Sequence, residues 1–209
     1  MPSMTTQRNV AIILFDDVEV LDFAGPFEVL SVTGRRGGAQ PFNAYTVAQA
    51  TPVTARNGLS INPHYLLTTC PTPNIVVVPG GGGYHADGQP FGSRKEMHND
   101  VLLEWLVAHT ASAEHVLSVC TGALILANAK LTQGLQATTH HLALDALADV
   151  DPSLQVKAEQ RIVDNGKVIF SGGISAGIDA SLYMVAKLLG QDAAKETATY
   201  MEYDWQGAA

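Results

Sequence analysis

Residues 114–130 read EHVLSVCTGALILANAK. A polar, charged approach leads into a short apolar run at 116–119. Cys120, Thr121 and Gly122 follow at once, and then comes ALILANA, a good helix-forming run. The pattern predicts strand, sharp turn and helix, with Cys120 at the turn. A side chain there sits at the C-terminal edge of a sheet and near the positive end of a helix, and both placements favour a thiolate. The small residues after the cysteine permit the tight turn of a nucleophile elbow. A buried structural cysteine is the alternative, because free cysteine is among the most buried residue types. The stretch alone leaves both open.

Working outward, alternating strands and helices surround this unit. The apolar runs at 9–15, 42–48 and 74–78 read as buried strands, and 101–110 has helical spacing. Asp16 and Asp17 end the first strand, and a loop at 18–23 leads to a helix around 26–31. Pro26 is placed in its first turn, where a missing N–H costs nothing. Residues 53–55 and 59–61 read as a hairpin turned by Asn57-Gly58, since both turn positions tolerate positive φ. Downstream, 136–139, 155–158, 162–165 and 168–170 read as strands, with Asn165-Gly166 turning the last pair. Helices are expected at 141–150, 175–189 and 191–203. This alternation predicts an α/β fold with a parallel sheet covered on both faces. Residues 1–8 are expected to be frayed, and residues 9–209 to form a single domain.

Composition limits the function. The chain has 209 residues, 46% of them hydrophobic and 15% charged, as expected of a packed α/β protein. A formal net charge of -8 argues against nucleic acid as partner. No apolar run approaches a membrane span, and residues 1–10 lack the apolar segment of a signal peptide. A cytoplasmic protein is expected, with Cys70 and Cys120 as free thiols. His64, His85, His98, His109 and His115 are scattered without ligand spacing, so no metal site is expected. Adjacent His140 and His141 are read as pointing to different sides of a strand end. One of them could approach the site, and satisfied polar residues are the simpler reading. Trp105 and Trp205 read as packing.

Ligands of open parallel sheets bind outside the carboxyl ends of the strands. Three stretches end strands there: residues 79–83, Cys120-Thr121, and Gly172-Gly173. The loop after the first strand adds Asp16, Asp17, Glu19 and Asp22. The four glycines at 80–83 form neither a dinucleotide fingerprint nor a P-loop. They read either as a plain turn or as bare backbone N–H groups beside a ligand. Asp22, between Leu21 and Phe23, is either a helix-capping carboxylate or an acid that shares a proton with Cys120. Asp16, Asp17 and Glu19 read as solvated loop charges.

Four motifs together resemble the ThiJ/PfpI superfamily of flavodoxin-like, class I glutamine-amidotransferase-like proteins. They are DVEVLDFAGPFEVL at 17–30, VVVPGGGG at 76–83, SVCTGALILANAKLTQGLQATTHH at 118–141 and SGGISAGIDASL at 171–182. The resemblance covers nearly the whole chain. It implies a flavodoxin-like three-layer sandwich with a mostly parallel central sheet and a cysteine elbow. Within the superfamily, Leu21-Asp22 with Gly25-Pro26, Cys120-Thr121 and residues 137–140 are similar to the isocyanide hydratase group. The resemblance implies Cys120 as nucleophile and Asp22 as its acid. Gly81, Gly82 and Thr121 would supply backbone N–H groups, and Gly172, Gly173, Ile174 and His140 would stand behind them. It also implies a homodimer. Thr121 stands where the protease branch has His, which argues against a Cys–His peptidase.

The implied reaction is hydration of a small-molecule isocyanide to the N-substituted formamide, through a Cys120 thioimidate with Asp22 as general acid and base. Thr121 would orient the site through its hydroxyl or N–H. No cofactor is required. Two alternatives are kept. One is a glyoxalase- or deglycase-like hydrolase of 2-oxoaldehydes. The other is a cysteine redox or ligand sensor, because AraC-type regulators carry an N-terminal domain with similar motifs. Too few residues follow 203 for a helix-turn-helix, so no DNA-binding half is expected here.

Overall fold

The computed structural model describes residues 7–207. The expectation for residues 1–6 therefore lies outside what is described. In chain order the elements are β1 (Arg8–Leu14), α1 (Val20–Val32), β2 (Phe42–Ala48), β3 (Val53–Thr54), β4 (Ser60–Ile61), β5 (Tyr65–Leu66), β6 (Ile75–Val78), β7 (Gly82–Tyr84) and β8 (Pro90–Gly92). Then come α2 (Ser93–Glu96), α3 (Asp100–Ser112), β9 (His115–Val119), α4 (Gly122–Asn128), β10 (Gln136–Ala137), α5 (Leu144–Val150), β11 (Gln155–Val156), β12 (Ile162–Asp164), β13 (Val168–Ser171), α6 (Ala176–Leu189) and α7 (Gln191–Tyr200).

The central sheet has seven strands in the order β12-β13-β9-β6-β1-β2-β5. Six run parallel, and β12 joins the edge antiparallel to β13. All four residues of β6 are buried, as are Val10 to Leu14 of β1. Strands covered on both faces need such unbroken apolar runs. The helices pack in two groups, α1 with α6 and α7, and α3 and α5 against α4. Both groups reach β6 and β9, so helices cover both faces of the sheet. This is the expected flavodoxin-like, mostly parallel α/β architecture.

Register places the site. Val78 of β6 is paired with Ser118 of β9, and Val119 with Ser171 of β13. Their next residues, Pro79, Cys120 and Gly172, therefore leave the sheet side by side. The Asn57-Gly58 and Asn165-Gly166 turns form as expected, with positive φ at Asn57, Gly58 and Gly166.

Several boundaries differ from the sequence reading. β1 begins at Arg8, whose guanidinium meets Glu114 at 2.7 Å. α1 starts at Val20 rather than near Pro26, so Asp22 lies in its first turn and Pro26 in its interior. Pro26 cannot donate to the Asp22 carbonyl, and the helix continues through it because its buried face holds it in place. The strand expected at 136–139 stops at Ala137, that at 155–158 stops at Val156, and the last helix ends at Tyr200. Residues 141–143 form a 3-10 turn before α5. Strand β5, the β7–β8 hairpin and α2 were not anticipated, because each is too short to show a period.

Candidate active site

Cys120 stands directly after β9 with φ 55°, a left-handed conformation forced by the turn into α4. For a residue with a Cβ this costs roughly 1–2 kcal/mol. Surrounding bonds hold it there. Its N–H donates to Gly172 O at 3.0 Å, and its carbonyl accepts from Thr139 Oγ1 at 2.7 Å. Ile174, beyond the neighbouring strand end, is also left-handed, with φ 53°. A β-branched residue in that region is a genuine outlier. Two strained residues thus flank one point.

The Gly80–Gly83 run is no plain turn. A Cβ at Gly80 would run into the Thr121 amide, and one at Gly122 into the Val78 carbonyl. The end of β6 and the start of α4 touch backbone to backbone. Glycine is needed for that approach and, at Gly81 and Gly82, for φ of 124° and 87°.

Asp22 is fully buried. Its Oδ2 accepts from the Gly80 N–H at 3.0 Å, and Oδ1 has no hydrogen-bond partner among the described residues. Burial pushes its carboxyl up to about 7, against the Gly80 amide and the Cys120 thiol, which lower it, and with Glu19, which raises it further. Cys120 is also buried, and burial followed by the Asp22 charge pushes its thiol up to about 12. The Thr121 and Ile174 amides act in the opposite direction. Charge and the thiol–carboxyl contact couple the two groups, each shifting the other's ionisation.

These shifts run against the thiolate that the position at the turn favours. The helix end is worth about 0.3–1 kcal/mol, less than the ~1.4 kcal/mol of a single pKa unit. Burial therefore decides. The two groups titrate as a pair, and above neutral pH the pair holds one proton between two sites.

A second expectation also changes. The Gly81 N–H is not bare: it donates to Thr121 Oγ1 at 3.0 Å. Ser93 Oγ lies 2.8 Å from Thr121 Oγ1 and 2.7 Å from Gly81 O. One arrangement satisfies every proton, a closed ring from Gly81 N–H to Thr121 to Ser93 and back to the Gly81 carbonyl. The Thr121 hydroxyl therefore fixes the glycine loop. The N–H groups aimed at the Cys120 and Asp22 pair are those of Gly80, Thr121 and Ile174. Gly82 pairs with Gly92 in the β7–β8 hairpin.

His140 and His141 do not diverge. Their rings stack with centroids 4.4 Å apart, and the His140 ring packs where a Cβ on Gly173 would stand. His140 Nδ1 accepts from the Leu142 N–H at 3.3 Å, which leaves the ring proton on Nε2. Burial, then the charges of His141 and Arg94, lower its pKa. A cleft of about 440 Å³ runs beside Ile174, lined by Thr139, His140, Glu159, Arg161 and Gly173. Neither this cleft nor a larger one of about 570 Å³ at the ends of β1 and β2 is lined by Cys120 or Asp22.

Ser93 and Arg94 were missed by sequence reasoning. Both lie on the four-residue α2, whose sequence SRKE shows no pattern. The only signal is a basic residue just past the glycine hairpin. Glu19 is less solvated than expected, 3.9 Å from Arg56, and its N–H donates to Gly80 O. Asp16 accepts from the Thr54 N–H. Trp105 is buried packing, with its indole on Leu67 O, and both cysteines are free. Among the described residues no group of three or more His, Cys, Asp or Glu could hold a metal ion, and no helix is long and apolar enough to cross a membrane.

Comparison with known proteins places the fold. An isonitrile hydratase of Pseudomonas putida is 33% identical over 197 residues, 93% of this chain and 78% of that protein. The HTH-type transcriptional regulator GbdR of Pseudomonas aeruginosa is 23% identical over 91% of this chain, which spans 49% of the regulator. A ThiJ/PfpI family protein of Pseudomonas syringae superposes with a TM-score of 0.80 at 30% identity, covering 98% of this chain and 80% of that one. Drosophila melanogaster DJ-1beta superposes with a TM-score of 0.78 at 18% identity, covering 96% and 100%. The model of the DJ-1/PfpI family matches residues 8–187, and the chain belongs to that family.

Proposed function

We propose that the protein hydrates isocyanides, R–N≡C, to N-substituted formamides. The observation that carries this reading is the Asp22 carboxyl, buried against Cys120, raised to about 7 and with one oxygen unpartnered. Such a pair offers a nucleophile and a proton together. The shared proton moves to Asp22 as the Cys120 sulfur attacks the terminal carbon and forms the C–S bond. Asp22 then delivers that proton to the same carbon, giving the thioimidate R–N=CH–S. Water adds to this carbon while Asp22 takes a water proton and passes it to nitrogen. The tetrahedral adduct collapses, the C–S bond breaks, and R–NH–CHO leaves. Its hydroxyl proton returns to the pair. Atoms balance with one water consumed. Positioned proton transfer of this kind is worth about 10²–10⁴-fold. The relative named an isonitrile hydratase supports the reading.

The test is to incubate the purified protein with alkyl and aryl isocyanides and follow the formyl proton by NMR. Turnover is expected in the wild type and is expected to vanish in Cys120→Ala. The pair must lose one proton before it can act, so kcat/KM should rise with pH through about 7 and then level off. Lack of turnover across several isocyanides, or full activity in Cys120→Ala, overturns the reading. The same preparations assayed with methylglyoxal separate it from the 2-oxoaldehyde alternative. The redox-sensor alternative is the weaker one, because oxidation follows thiolate character and burial opposes the thiolate here.

A further inference from the structure

Arg94 is the cation that the proposed chemistry leaves unused. It follows Ser93 on α2 and is half-buried. Its one hydrogen-bond contact among the described residues is a long one, Nη1 to Ser93 Oγ at 3.5 Å. No carboxylate among the described residues lies within 4 Å of it. Guanidinium groups carry five donors in a planar fork, and taking one partly out of water without a partner is costly. Nature's usual answer is an anion.

The position of Arg94 says which anion. Ser93 Oγ belongs to the closed ring that holds the glycine loop against Thr121, so the guanidinium folds back toward the Cys120 turn. Charge interactions link it to Cys120, to Tyr84 on β7 and to His140. Burial lowers the guanidinium, and the Cys120 and Tyr84 charges oppose that. His140 brings no competing acid, and Glu19 is turned to Arg56. The site thus has a proton-sharing pair at its base and an unpaired fork beside it.

We propose that Arg94 binds a carboxylate carried by the substrate's R group, so that the preferred isocyanides are anionic ones. The substrate class rests on the hydratase reading, whereas the anion subsite does not. The subsite also holds an electrophile's carboxylate while the electrophilic carbon meets Cys120 Sγ.

The experiment uses iodoacetate and iodoacetamide, which differ in charge and little in size. In each the sulfur displaces iodide, forming a C–S bond as the C–I bond breaks. Alkylation of Cys120 is followed by mass spectrometry of its peptide, which separates it from Cys70. The quantity read is the iodoacetate to iodoacetamide rate ratio, which cancels changes in the reactivity of the sulfur itself. The ratio in the wild type should exceed that of free cysteine by about tenfold or more, the scale of a charge-assisted bidentate contact. It should fall to the free-cysteine value in Arg94→Met and take an intermediate value in Arg94→Lys. High salt should lower it in the wild type. A wild-type ratio no greater than that of free cysteine overturns the proposal whether or not the variants fold. So does an unchanged ratio in a folded Arg94→Met.

A second arm compares isocyanoacetate with its methyl ester as substrates. A lower KM for the acid, lost in Arg94→Met, supports the anionic class. An ester turned over as efficiently as the acid contradicts it. If neither these two nor the alkyl and aryl isocyanides are turned over while iodoacetate is still preferred, the hydratase reading fails and the anion subsite stands.

Discussion

Asp22 and Asp151 are both buried, and their surroundings push them in opposite directions. Burial alone would raise each. Around Asp151 that effect is outweighed: Thr132 Oγ1 donates to Oδ2 at 2.6 Å, while Ser153 donates to Oδ1 through its hydroxyl at 2.6 Å and its N–H at 3.0 Å. Its carboxyl is held below the usual range. Asp22 receives one amide, keeps one oxygen open and is pushed up to about 7. A structural aspartate is fully satisfied and stays charged. Asp22 is left short of donors, which is what keeps its proton available near neutral pH.

Asp22→Asn should break the contrast most visibly. If the hydration mechanism holds, turnover should fall by about 10²–10⁴-fold. Stability should move the other way. The folded state holds the Asp22 proton up to about 7, whereas the unfolded chain releases it near 3.8. Wild-type stability therefore declines as pH rises between these values, by at most ~4 kcal/mol for this group. Urea unfolding of Asp22→Asn should show a gain at pH 8 that disappears near pH 4. An equal gain at both pH values would mean that Asp22 is ionised as freely as in water.

Asp151→Ala should do the reverse, losing about 1–3 kcal/mol as Thr132 and Ser153 are stranded. A depressed carboxyl stabilises above its unfolded pKa and loses that contribution as pH falls through the folded value. The loss measured by urea unfolding should therefore shrink in strong acid. Ser93→Ala is the smallest of the three. It opens the hydrogen-bonded ring at Gly81 and should cost about 1 kcal/mol. The Asp22 titration, followed by carboxyl carbon NMR, should stay near 7. A large shift there would show that the ring tunes the acid and does not merely hold the loop.

The fold was legible because it is written in unbroken apolar runs, such as residues 74–78, and in short-range punctuation. The Cys120 turn is a local event, strand, small residues and helix, so sequence alone could find it. Asp22 could be suspected but not weighed, since carboxylates are rarely buried and its burial depends on Gly80, 58 positions away. The Thr121–Ser93–Gly81 ring joins residues 28 and 40 positions apart and has no local signature. The thiol's protonation was not legible for a related reason. The turn advertises a helix end, while the burial that outweighs it comes from the whole sheet edge.

The backbone contact between Gly80 and Thr121, and between Gly122 and Val78, has a consequence for how this chain tolerates change. The sulfur's address is set by main chain pressed on main chain, not by the residue that carries the sulfur. In a saturation library selected only for soluble expression, position 120 should accept serine, alanine or aspartate. Positions 80 and 122 should accept almost nothing. The loci most sensitive to substitution would then be residues that take no part in chemistry, and the reactive one would look expendable.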